Sequence, residues 1–265
     1  MTTIRDVAVH AGVSTTTVSH VINRTRKVEP GTTARVEAAI EELGYRPNAV
    51  ARSMRRGRTH TVGIVIPDIA NPFFGDLARS LEDHMFERSY SAIICNSDGD
   101  AVKESKYLDA LLSKKVDGLL LIAASPASAA FVSSISGGTP TILVDRAVGD
   151  LCCSQVLVDN RQGGSLAGEH LLQLGHRDIG VIAGPGGLGT SARRLEGFRS
   201  ALERAGVQLP DERVYVGDFR AASGRAAIEH WLAKSLLPTA VFAENDPVSY
   251  THLRAHETGR PVSYA

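Results

Sequence analysis

The chain has 265 residues, 29 basic and 29 acidic side chains and a formal net charge of zero. That length holds one small and one larger domain with ample core. No apolar run is long enough to span a bilayer, and no basic-then-apolar export signal opens the chain, so no membrane partner and a cytoplasmic location are expected. Cys95, Cys152 and Cys153 make a poor disulfide framework and lack zinc-ligand spacing, so neither a metal nor a cofactor is expected.

The zero net charge hides an asymmetry. Residues 1–60 carry ten basic and five acidic side chains, leaving nineteen basic and twenty-four acidic for the rest. A basic head on an acidic body suits a module that neutralises phosphates.

In the head, Thr3 and Asp6 have capping-box spacing and open a helix in which Ile4, Val7, Ala8 and Ala11 share one face. Gly12 stops it, and Ser14 caps a second helix with an inner face of Val18, Val21 and Ile22. A third helix over about Thr32–Leu43 adds Val36, Ala39, Ile40 and Leu43, and Gly44 ends it. Two short helices across a glycine turn make a helix-turn-helix, whose second helix enters the DNA major groove. The outer face there carries Thr15, Thr16, Ser19 and His20. Thr can offer a methyl to thymine or a hydroxyl to a base edge, and His20 can donate to a purine acceptor. Arg26 follows as a phosphate contact.

Beyond Thr61, apolar strands alternate with amphipathic helices. Val62–Pro67, Ser91–Asn96, Gly118–Ala123 and Thr141–Asp145 read as buried parallel strands, with helices over Phe74–Arg88 and Glu104–Lys114. A second round runs through Gln155–Asp159, Ile179–Ala183, Arg213–Gly217 and Thr239–Ala243, with helices near Gln162–Leu174, Ser191–Ala205 and Ala221–Ala233. The pattern predicts an all-α head followed by an α/β body of two doubly wound parallel-sheet lobes, with a ligand between them at the carboxyl ends of the strands. Phe73 and Phe74 after the first strand can stack on a sugar or base. Asp145 and Arg146 at the end of the fourth can bind vicinal hydroxyls.

Gly184–Gly189 spells G-x-G-x-x-G after a strand and before a helix, the pattern of a dinucleotide site. The acid such a site needs about 20 residues on should end the next strand. Glu203 lies within a predicted helix instead and Asp218 comes late, so a cleft loop is favoured over an NAD-dependent oxidoreductase. A solute-binding module with no gene target is the third reading, and the basic head counts against it.

Residues 1–57 resemble the DNA-binding head of the LacI/GalR repressor family, with Val13–Asn23 especially similar to its purine- and ribose-responsive branch. Tyr45–Met54 matches that family's hinge helix, with Asn48 as N-cap and Met54 where Leu is usual. The resemblance implies a hinge that forms when two copies meet on DNA and wedges an apolar residue into the minor groove. It adds Asn23, Tyr45, Asn48, Ala51, Met54 and Arg55 to the DNA-binding set. It extends over the body to about Pro247, as a periplasmic-binding-protein-like effector domain. There Asn71, Phe73, Phe74, Asp145, Arg146, Thr190, Arg194, Phe219 and Asn245 match cleft positions. The implied protein is a homodimeric repressor of a pseudo-palindromic operator, controlled by a sugar-like effector and with no catalytic residues. Its parts would be a head over 1–46, a hinge over 47–60 and an effector domain over 61–247. Family members continue for several more elements, so the second lobe is expected to be incomplete. Val248–Ala265 has no strand or helix period and is expected to be an appended, non-native tail.

Overall fold

The computed structural model describes residues 2–46, 57–135, 138–149 and 153–249. The chain divides into two compact units, Met1–Thr59 and His60–Ala265.

The head has three helices, α1 (Ile4–Ala11), α2 (Thr15–Asn23) and α3 (Pro30–Glu42). The capping box forms as the spacing predicts: Asp6 N–H donates to Thr3 Oγ1, and Thr3 N–H and Oγ1 donate to Asp6 Oδ2. These donors hold the Asp6 carboxyl below the usual carboxylate range. Gly12 turns left-handed at φ 64° and closes α1. The third helix starts two residues earlier than expected because Pro30 fits its first turn, where no N–H is needed. Val7, Ala8, Ala11, Val18, Val36 and Ala39 form the buried centre of the head.

The body opens with five parallel strands: β1 (Thr61–Ile66), β2 (Ser91–Asn96), β3 (Gly118–Leu121), β4 (Thr141–Val144) and β5 (Ser154–Val156), in the order β2-β1-β3-β4-β5. Alternate β1 residues face opposite sides. Val62, Ile64 and Ile66 pack with Phe74 and Ala78 of α4 (Pro72–Glu87). Val65 packs with Leu108 and Leu111 of α5 (Ala101–Ser113) and Val132 of α6 (Ser128–Ile135). The second lobe is a three-stranded parallel sheet ordered β7-β6-β8, from β6 (Ile179–Ala183), β7 (Val214–Val216) and β8 (Ala240–Ala243). Helices α7 (Asn160–Gln173), α8 (Gly189–Arg204) and α9 (Ala221–Ala233) complete it. Phe198 and Leu202 of α8 pack on one face and Trp231 of α9 on the other. Two doubly wound lobes are therefore present. Among the described residues no helix is long and apolar enough to cross a membrane.

Three features differ from the sequence reading. The strand near Gln155 belongs to the first sheet, where Ser154–Val156 pairs with Ile142–Val144. It is an exposed edge, so its apolar residues carried no mark of which lobe it served. Helix α6 was not foreseen; it is rich in small Ser and Ala residues that weaken a helical pattern. Val248, expected to open the tail, is buried against the second-lobe core that holds Trp231. Residues 250–265 lie outside the described residues.

Helices α7 and α8 approach closely. A Cβ on Gly164 would lie 1.9 Å from the Arg194 carbonyl oxygen, and one on Gly197 would lie 1.9 Å from that of Arg161. Both clashes are with backbone, which cannot rotate away. Gly197→Ala is expected to destabilise the body by about 3 kcal/mol, the upper part of the usual overpacking cost. Urea unfolding followed by circular dichroism measures it, and a loss below about 0.5 kcal/mol would show that the helices separate freely.

Candidate functional site

The outer face of α2 is built by its first cap. Ser14 Oγ accepts from Thr17 N–H at 3.1 Å and pairs with Thr17 Oγ1 at 2.9 Å, which turns Thr17 back onto the cap. Thr15 and Thr16 stay exposed in the first turn, with half-buried Ser19, His20 and Asn23 further along the same face. No acidic residue stands in that first turn, so its free N–H groups and positive dipole end favour an anion such as phosphate.

Asn23 Nδ2 donates to the Ser19 carbonyl at 2.8 Å. His20 Nδ1 lies 2.8 Å from Thr25 Oγ1, so Nε2 is the ring atom left to face a partner. Arg26 is exposed beyond left-handed Arg24. Tyr45 is half-buried against the head core, an anchoring role the sequence did not show. Asn48, Ala51, Met54 and Arg55 lie outside the described residues.

In the body, all nine expected cleft residues line one cavity of about 210 Å³: Asn71, Phe73, Phe74, Asp145 and Arg146 from the first lobe, and Thr190, Arg194, Phe219 and Asn245 from the second. Glu244 and Asp246 line it too and were not anticipated. The only advance sign was that they flank Asn245 at a strand end. Ligand pockets usually span roughly 300–1,000 Å³, so this one suits a molecule of monosaccharide size.

The first-lobe wall is aromatic and charged. Asn71 Oδ1 caps α4 by accepting from Phe73 N–H at 3.1 Å. Phe73 and Phe74 meet edge to face with centroids 5.0 Å apart, and the Arg146 guanidinium carbon sits 5.5 Å from the Phe74 ring centre. Arg146 Nη1 donates to the Ala123 carbonyl at 2.9 Å. Asp145 has φ 63°, and Arg146 N–H reaches back to the Val144 carbonyl at 2.7 Å. This tight three-residue turn costs of order 1–3 kcal/mol and aims both side chains at the cavity. Burial pushes the Asp145 carboxyl up and the Arg146 guanidinium down.

The second-lobe wall is organised by Arg194. Its Nε donates to Asn160 Oδ1 at 2.8 Å and its Nη1 to the Glu244 carbonyl at 2.6 Å. Asn245 Nδ2 donates to the Phe219 carbonyl at 2.7 Å, holding the left-handed Phe219 in the wall. Glu244 Oε2 accepts from Gly184 N–H at 3.0 Å and from the Ser191 hydroxyl.

Comparison with known proteins decides what this arrangement belongs to. Residues 3–48 match the description "Bacterial regulatory proteins, lacI family", and residues 59–265 match "Periplasmic binding proteins and sugar binding domain of LacI family". The ribose operon repressor of Escherichia coli K12 is 41% identical over 94% of this chain and 76% of its own length. The HTH-type transcriptional repressor PurR of Proteus mirabilis is 41% identical over 93% of this chain and 73% of its own. Among solved structures, the lac repressor dimer bound to operator and the anti-inducer ONPF matches with TM-score 0.84 at 28% identity, over 96% of this chain and 77% of that one. The CelR–cellobiose complex matches with TM-score 0.68 at 32% identity, over 99% and 80%.

The chain belongs to the LacI family.

It is a DNA-binding transcriptional regulator, and its relatives are repressors. The oxidoreductase alternative finds no support. In this LacI-family chain the first glycine of the G-x-G-x-x-G loop serves packing: a Cβ on Gly184 would fall 2.0 Å from the Phe219 ring. The Gly184 N–H is spent on Ser191 and Glu244 rather than offered to a pyrophosphate.

Burial also raises the carboxyls of Glu244 and Glu104; the latter binds Ala124 N–H and the Ser128 hydroxyl in the first lobe. A carboxyl that holds its proton more tightly folded than unfolded adds stability at low pH, lost as pH rises through the folded value. Glu104→Gln removes one such group. Its unfolding free energy is expected to fall less than that of wild type between the carboxylate range and neutrality. Chemical denaturation at several pH values tests this, and parallel profiles would contradict it.

Proposed function

We propose that this chain is a cytoplasmic, homodimeric repressor that reads a pseudo-palindromic operator with α2 and answers to a small neutral sugar in its cleft. It performs no catalysis. The boundaries assigned are a head over 1–46, a hinge over 47–60 and an effector domain over 61–247. Thr15, Thr16, Ser19, His20 and Asn23 face base edges, and Arg26 faces phosphate. The hinge segment, with Asn48, Ala51, Met54 and Arg55, serves the minor groove at the operator centre.

The observation that carries this reading is the convergence of nine cleft residues, chosen from sequence, on a single cavity in a chain whose head is a helix-turn-helix. Aromatic faces, a carboxylate and two guanidinium groups around a monosaccharide-sized space form the pattern that binds ring faces and vicinal hydroxyls. The relatives named for ribose and cellobiose support the sugar class, and the lac repressor dimer on its operator supports the pairing.

Selection from random duplexes, with and without a sugar panel that includes D-ribose, tests the whole reading. A single enriched palindrome whose recovery shifts with one sugar is the expected result. His20→Ala is expected to cost about 1–3 kcal/mol of discrimination at one position of each half-site. Arg26→Ala should weaken all duplexes alike and reduce the salt slope by about 1. Equal losses on operator and random DNA for His20→Ala would remove its base-reading role.

A further inference from the structure

Two residues that line the cavity from opposite lobes each carry a buried polar atom without a hydrogen-bond partner among the described residues: Glu244 Oε1 and Arg146 Nε. Glu244 is 4% exposed. Its other oxygen is fully used, accepting from Gly184 N–H and the Ser191 hydroxyl. Arg146 is 9% exposed, and its Nε stands 3.8 Å from Asp145 Oδ2, close enough for ion pairing but too far for a hydrogen bond. Buried polar groups in folded proteins are almost always satisfied, so each such orphan requires an explanation.

We infer that Glu244 is an effector-contacting residue and that it works with Arg146, on the opposite lobe, to select an uncharged polyhydroxy molecule over an anionic one. This rests on the sugar reading of the cleft. The two orphans are complementary in sense, because Arg146 offers an N–H and Glu244 offers a carboxylate oxygen. A hydroxyl both donates and accepts, so neighbouring hydroxyls of one polyol satisfy both walls. A carboxylate or phosphate only accepts. It suits Arg146 but meets Glu244 as like charge, with Asp145 and Asp246 in the same lining. Arg194 offsets this only in part, since its Nε and Nη1 are already committed to Asn160 and the Glu244 carbonyl.

Calorimetric titration with D-ribose and D-ribonate, which share a carbon skeleton and differ in charge, tests the inference. Wild type is expected to prefer ribose by at least a hundredfold. Glu244→Gln keeps an acceptor for Gly184 and Ser191 but turns an uncharged amide to the cavity, and it should narrow the preference by at least tenfold. Ser191→Ala loosens the same loop while keeping the carboxylate, and it should retain the preference. Wild type binding ribonate as tightly as ribose overturns the inference, whether or not the variants fold. So does a preference unchanged within twofold in Glu244→Gln, or one lost equally in Ser191→Ala. Absence of binding by wild type to D-ribose and to every other sugar of the panel overturns the sugar reading itself, and the Glu244 assignment falls with it.

Discussion

The Arg194 guanidinium is the interaction on which the second wall of the cleft depends. It joins α8, which carries it, to Asn160 at the start of α7 and to the Glu244 carbonyl beyond β8. A planar fork with fixed donors can make two such bonds at once with little loss of freedom. The arrangement is possible because α7 and α8 touch backbone to backbone at Gly164 and Gly197, which brings Asn160 within reach. Helix packing thus becomes cavity geometry: the glycines set the distance, the distance sets Arg194, and Arg194 fixes the strand end that carries Glu244 and Asn245.

The rest of the site follows from where parallel strands end. In both sheets the first strand is an interior one, flanked by the second on one side and the third on the other, so the crossover direction reverses beside it. Loops leaving the carboxyl ends there splay apart and leave a crevice. Residues just past β1, β4, β6 and β8 supply Asn71, Asp145, the Gly184 loop and Glu244. The left-handed backbone at Asp145 and Phe219 shows that the loops are bent out of easy conformations to present these groups.

Much of this was legible in sequence because the signals were chemical as well as periodic. The capping box at Thr3 and Asp6 and the cap at Ser14 fix α1 and α2 through local hydrogen bonds, and local bonds follow from local sequence. The nine cleft residues could be named because a family pattern placed them at strand ends, loops and helix starts. What was missed depends on contacts distant in the chain. Ser154–Val156 reads like any short strand, and only its pairing with β4 assigns it to the first lobe. Tyr45 anchors the head core through packing that spacing does not reveal. The Gly184 loop spells a nucleotide motif, and only the Phe219 ring above it explains the glycine. Glu244 stands out only once Gly184 and Ser191, 60 and 53 residues away, are seen to occupy one of its oxygens and leave the other bare.

The proposed base-reading helix and polyol cleft would regulate a gene only if each site senses the other's occupancy. Such coupling is a free energy, and it must be the same measured from either side. Reciprocal titration tests this most directly: operator affinity with and without saturating D-ribose, and D-ribose affinity with and without operator. The expected result is a change of about fivefold or more, equal in both directions, within the usual range of allosteric coupling. Tight ribose binding that leaves operator affinity unchanged, with equal affinity for operator and random duplex, would contradict the regulator reading.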